Sequence, residues 1–211
     1  HKEHETAIDL YNLVVQMVPT YASAYYNLGG SHYMLGNLEG AMTNFQHATI
    51  LAPDYMFAHA NLGAVMVQQG HLESAKVHHL QAVRIDPLFV DGWISLGNAL
   101  HLLGQGAEAV SSFSTAVQLS PGNANAYYAL GVTSRDLGRY EEAVAAFTTA
   151  LELAPSLGNS YLSLGICYQQ MGESLGHKEA SEAALQSLGA ATIQSPLHVA
   201  SYNTLGTHLL E

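Results

Sequence analysis

Histidine is frequent among the side chains in this sequence that could do chemistry, twelve among 211 residues. A metal centre needs several imidazoles, thiols or carboxylates brought to one point by helical spacing or a tight loop. The spacing here does not provide that. His78 and His79 are adjacent, so on a helix they diverge, and His71 with Glu73 lacks the His-Glu-x-x-His arrangement of zinc hydrolases. His1 and His4 share a face but have no third ligand nearby. Cys167 is the single cysteine, which excludes an intrachain disulfide. Val65, Ala99 and Thr133 stand at 34-residue steps before it, so a small packing residue is expected there rather than a nucleophile. The glycines recur at fixed intervals instead of crowding into a phosphate cradle, and no Ser/His/Asp order stands out. No catalytic residue, no metal and no cofactor is predicted.

Charge narrows the partners. Six Lys and Arg against 17 Asp and Glu give a formal charge of −11, which leaves no cationic footprint for a phosphate backbone. Charged residues make up 11% of the chain, against roughly a quarter in ordinary soluble domains. Surface buried in a larger assembly would explain the deficit. Apolar runs are short and interrupted, so none approaches the roughly 20 residues that cross a bilayer. His1-Lys2-Glu3-His4 is neither a secretory nor a transit signal. A reducing intracellular compartment, with the cytoplasm first, is the expected location.

The elements that carry these residues follow a fixed period. Pro19, Pro53, Pro87, Pro121 and Pro155 are each 34 residues apart, as are Leu28-Gly29, Leu62-Gly63, Leu96-Gly97, Leu130-Gly131 and Leu164-Gly165. Such a period marks a stack of supersecondary units, none of which buries its apolar face alone. Within one period the spacing predicts two amphipathic helices, Ala124 to about Asp136 and Tyr140 to about Leu153. Gly138 should cap the first in the left-handed conformation, and Pro155 should follow the second because it cannot continue a helix. Gly36, Gly70, Gly104 and Gly172 repeat the first mark. Small residues recur where the helices must approach, as at Gly131, Ala143 and Ala150, with Phe45, Phe113 and Phe147 filling the space between them.

This ordered pattern of a bulky opener, Leu-Gly, Ala, aromatic, Ala and Pro resembles the tetratricopeptide repeat. The resemblance covers the whole chain. Departures are few: His59 replaces the bulky opener, His79 the aromatic, and Met66, Leu100 and Ser134 the usual tyrosine. It implies an all-α fold, a right-handed α-α superhelix or solenoid of helix-turn-helix repeats. Residues 1–21 read as the second helix of a partial repeat; 22–55, 56–89, 90–123 and 124–157 are regular repeats. Residues 158–198 form a repeat with seven extra residues near 173–180, because Pro155 to Pro196 spans 41 residues, and a second helix lengthened from about His177 would keep register. Residues 199–211 read as the first helix of another partial repeat, so the array is expected to continue past both ends. Leu205, Leu209 and Leu210 would need a cover there.

The resemblance also implies a concave groove lined by first helices. Its fifth, ninth and twelfth places carry over to Tyr26, Ile94, Tyr128 and Leu162, to Asn98, and to Tyr33, His101, Arg135 and Gln169. Gly30, Ala64, Val132 and Ile166 share the ninth place with Asn98. Arg135 is the one cation in these rows, which argues against a carboxylate clamp. Asn27, Asn61 and Asn98 resemble fragments of an asparagine ladder interrupted by Ser95, Ala129, Ser163 and Thr204. The expected function is a non-catalytic scaffold that binds a protein or peptide segment in an aromatic and apolar groove, within a larger assembly. Two alternatives stay open: the substrate-selecting arm of a larger enzyme such as an O-linked N-acetylglucosamine transferase, and an architectural subunit that stacks through its open ends as a homo- or hetero-oligomer.

Overall fold

The computed structural model describes residues 2–175. They form ten helices and, among the described residues, no strand: α1 Lys2–Met17, α2 Ala22–Met34, α3 Leu38–Leu51, α4 Met56–Gln68, α5 Leu72–Ile85, α6 Val90–Leu102, α7 Gly106–Leu119, α8 Ala124–Asp136, α9 Tyr140–Leu153 and α10 Gly158–Leu175. The helices gather into two compact units that divide between Gly104 and Gln105, with α1–α6 in the first and α7–α10 in the second. The all-α fold of paired helices expected from the sequence is the fold observed.

Local chemistry sets the helix ends. Gly36, Gly70, Gly104 and Gly138 have φ between +72° and +79°, the region in which a Cβ would crowd the backbone. After three of them the next amide reaches back to the helix: Asn37 N–H donates to His32 O, His71 to Met66 O and Arg139 to Ser134 O, at 2.8–2.9 Å. That bond, with the glycine's own to the residue three before, satisfies carbonyls a helix terminus otherwise leaves open. Asn37 then caps α3 by accepting from Gly40 N–H at 2.9 Å, and Asn123 caps α8 by accepting from Ala126 N–H at 3.0 Å.

Gly172 departs from this rule. A cap was expected there, but α10 runs through it to Leu175. An interior glycine costs only about 1 kcal/mol relative to alanine, so a single glycine does not by itself stop a helix. The remainder of the expected insertion from Gly176, the second helix from His177, and the partial repeat at 199–211 with Leu205, Leu209 and Leu210 lie outside the described residues.

Packing within the pairs α2–α3, α4–α5 and α8–α9 rests on rings laid over glycines. A methyl group added at Gly29 would lie 2.6 Å from the Phe45 ring, one at Gly63 2.7 Å from His79, and one at Gly131 2.8 Å from Phe147. No side chain fits, so the glycine sets how closely the two helices approach. Ala41, Ala48, Ala75, Ala82, Ala143 and Ala150 on the second helices are fully buried for the same reason. In the first unit Ala41, Phe45, Leu62 and Val65 form a core joining α3 to α4. In the second, Ala143, Phe147, Leu151, Leu164 and Cys167 join α9 to α10. α3 is thus shared between α2 and α4, α5 between α4 and α6, and α9 between α8 and α10.

Candidate binding groove

The residues expected to line a groove fall on four first helices: Tyr26 and Tyr33 on α2, Ile94, Asn98 and His101 on α6, Tyr128 and Arg135 on α8, and Leu162 and Gln169 on α10. The structure gathers two of them into one cavity. A groove of about 500 Å³ opens in the first unit, with Tyr26, Gly30 and Tyr33 of α2 beside Asn61 and Ala64 of α4. Ile94, Asn98 and His101 do not line it, although they belong to the same unit. In the second unit Tyr128 packs its ring 5.8 Å from Phe147. Arg135 is held by Asp136 at 2.9 Å and donates to Ser163 Oγ at 3.5 Å. Leu162 and Gln169 are both half-buried on α10.

Within the groove the polar groups are positioned by bonds from one first helix to the next. Asn61 Nδ2 donates to the Tyr26 hydroxyl at 3.1 Å, and Gln68 Nε2 donates to the Tyr33 hydroxyl. Both pairs are 35 residues apart, one more than the repeat, because adjacent first helices meet at staggered places. The Tyr26 ring is fixed further by Phe45 at 5.7 Å and Tyr55 at 4.9 Å. Burial raises the Tyr55 pKa above 10.0, and Tyr26 adds to that shift, so the Tyr55 phenol stays neutral. The result is a rigid aromatic wall with hydroxyl and amide groups at fixed places, and the lining carries no lysine, arginine or carboxylate.

Sequence reasoning missed the third wall. His4, Ala7 and Tyr11 of α1 complete the groove together with Asn27, Ser31 and Met34 of α2. The signal was present: Ala7 and Tyr11 stand 34 residues before Ala41 and Phe45, so α1 had to present its core face beside α2. The asparagine pattern also resolves. Asn27 and Asn61 occupy equivalent places and both line the groove, whereas Asn98 is exposed on α6, one turn beyond the equivalent Ser95.

Three histidines prove structural. His59 Nε2 donates to the Pro53 carbonyl at 3.1 Å, so its Nδ1 accepts from His78 Nδ1–H at 3.0 Å. Burial lowers the pKa of both, and for His78 the neighbouring His59 lowers it further. His79 turns the other way, beneath Gly63, with its pKa pushed down to about 4 by burial and then by His78. Among the described residues no group of three or more His, Cys, Asp or Glu could hold a metal ion. Cys167 is fully buried, and burial pushes its thiol up to about 11, the state of an inert packing residue. No described helix is long and apolar enough to cross a membrane.

Comparison with known proteins supplies the family. Profiles described as tetratricopeptide repeat match residues 22–55 and 124–157, and one described as TPR repeat matches 97–133. This chain carries tetratricopeptide repeats. No curated protein sequence matches it. Among solved structures of this fold, YrrB, titled a TPR protein with an unusual peptide-binding site, is 23% identical with a TM-score of 0.78, covering 92% of this chain and 96% of its own. MamA from Desulfovibrio magneticus RS-1 is 20% identical with a TM-score of 0.72 over 82% of this chain and 97% of its own. A chain from the APC/C hetero-tetramer Cut9-Hcn1 is 19% identical with a TM-score of 0.70, covering 99% of this tetratricopeptide array but only 40% of that protein. At these identities the likeness establishes the fold.

Proposed function

We propose that this tetratricopeptide array is a non-catalytic scaffold that holds a segment of a partner protein against α2 and α4, within a larger assembly. The observation that carries the reading is the groove of about 500 Å³ whose aromatic rings and neutral polar groups are locked by bonds to neighbouring helices. Pockets of that size with an apolar lining and a few fixed polar groups are the usual form of a recognition site. Rigid tyrosines provide large contact area with little rotamer entropy to lose. Peptide binding in a relative such as YrrB agrees with this reading. Of the residues expected from the sequence, Tyr26 and Tyr33 are the contacts proposed for this groove. Ile94, Asn98 and His101, and in the second unit Tyr128, Arg135, Leu162 and Gln169, are proposed as further contacts along the first helices.

Gly30 gives a direct test. Nothing lies within 4 Å of the place its Cβ would occupy, so Gly30→Leu adds a side chain to the groove without displacing the fold. Leucine in a helix interior is favoured over glycine by somewhat under about 1 kcal/mol. The variant is expected to melt at the native temperature or above it, while a partner recovered with the native chain no longer binds. Retention of that partner by both Gly30→Leu and Tyr26→Ala would refute the groove.

A further inference from the structure

The repeats do not fill equivalent space with equal bulk. On α3, α4 and α5 large side chains occupy one set of places: Met42 and Met66 pack against the core, and the His59 and His78 rings bond to each other at 3.0 Å. Two periods later the same places on α7, α8 and α9 hold Val110, Ser134, Tyr127 and Ala146. Two methionines and an imidazole have given way to valine, serine and alanine. A cavity of about 400 Å³ opens there, lined by all four of these residues and by Leu130. Leu130 is only half-buried, whereas its equivalents Leu28, Leu62 and Leu96 are at most 4% exposed. Ser134 is fully buried against this cavity and its hydroxyl has no partner. Arg139 and Glu142 form the exposed rim and pair with each other at 3.6 Å. Every lining residue belongs to α7, α8 or α9, counting Arg139 at the head of α9, and further helices precede and follow these in the chain.

We propose that this cavity is a second binding site, distinct from the groove along the first helices, and that it takes a neutral aromatic ring carrying one hydroxyl, the phenol class. The ring follows from what the chain itself puts in these places: His59 and His78 on α4 and α5, and on α10 Tyr168, which stands one period after Ser134 and packs against the core. The hydroxyl follows from Ser134, because a buried polar group without a partner is costly and a ligand O–H placed against it supplies the missing bond. Neutrality follows from the lining. Val110, Leu130 and Ala146 are apolar and the two rim charges already pair, so an ionised group would lose its hydration without gaining an ion. A volume of about 400 Å³ lies within the ordinary range of small-molecule sites and leaves room for atoms attached to the ring. A free phenol and a tyrosine side chain of a partner protein present this same group.

The probe is p-cresol, the tyrosine side chain as a free molecule. Ligand-detected NMR titration against the full chain is expected to show saturable binding. Toluene, which lacks the hydroxyl, should bind about fivefold more weakly, and that preference should vanish in Ser134→Ala. Ser134→Leu and Ala146→His put into the cavity the side chains that Leu100 and His78 carry in the same places, and each should abolish binding. Far-UV circular dichroism separates lost binding from lost folding; if neither filling variant folds, the toluene comparison in Ser134→Ala still decides. N-acetyltyrosinamide distinguishes the sources: binding as tight as that of p-cresol assigns the site to a partner's tyrosine, and binding of p-cresol alone assigns it to a free phenol, either result supporting the site. Absence of saturable binding, equal affinity for p-cresol and toluene in the native chain, or undiminished binding in a folded filling variant overturns the proposal.

Discussion

The sharpest physical prediction concerns His79 and acid. Its side chain is 1% exposed, its Nδ1 has no hydrogen-bond partner, and it sits where Phe45, Phe113 and Phe147 stand in the other repeats. Burial holds its pKa at about 4 against an ordinary 6.5. Between those values the unfolded chain binds a proton that the folded chain refuses, so stability must fall as pH drops. Above about pH 7.5 both states are neutral and nothing is lost. At pH 5 the linkage from this residue alone is about 2 kcal/mol, approaching a limit of about 3 kcal/mol below pH 4. His59 and His78, whose pKa values are also lowered, act in the same direction.

His79→Phe isolates this contribution. It replaces the imidazole with the ring that other repeats already pack over a glycine, and it removes the titration. Trp93 is the chain's single tryptophan and lies on α6, which packs against α5, so its fluorescence during urea unfolding reports on the unit that contains His79. The native chain should lose about 2 kcal/mol more than His79→Phe between pH 8 and pH 5, as the difference of two differences in which every other carboxylate and imidazole cancels. Equal pH dependence in the two proteins would refute the claim that His79 is held neutral. A variant that fails to fold at pH 8 would instead refute the equivalence of this position with the phenylalanine positions.

Three further outcomes follow from individual contacts. Ser134 is fully buried and its hydroxyl has no partner, so Ser134→Ala should raise stability by about 1 kcal/mol in chemical denaturation, since it removes an unpaired polar group. Trp93 Nε1 donates to the Pro87 carbonyl at 2.9 Å; Trp93→Phe should lower the stability of the first unit by about 1 kcal/mol, measurable by amide exchange in α6. Cys167, with its thiol at about 11 and no exposure, should resist alkylation at pH 7.5 in the native chain and react at the ordinary rate in urea.

What the sequence made legible is most of what repeats at one fixed interval, Gly172 excepted. The bounds expected for α8 and α9 match those observed, and the left-handed glycines at 36, 70, 104 and 138 are in place, because each depends on residues within a few positions along one helix. The errors arose where neighbouring repeats meet at a stagger. The bonds from Asn61 to Tyr26 and from Gln68 to Tyr33 run at the period plus one, so aligning equivalent places could not reveal them. Departures from a pattern also need not be departures in role. His59 appeared to break the sequence rule for a bulky opener, yet it and Trp93 make the same bond, each donating a ring N–H to the proline carbonyl six residues before it. At these two positions a planar donor closes the turn between repeats. His79 is the converse case: the shape of the aromatic is kept while an unpaired, titratable nitrogen is buried with it. The physical difference between these two histidines, one satisfied and one not, could not be read from their letters, and it decides that acid should weaken the fold through the second.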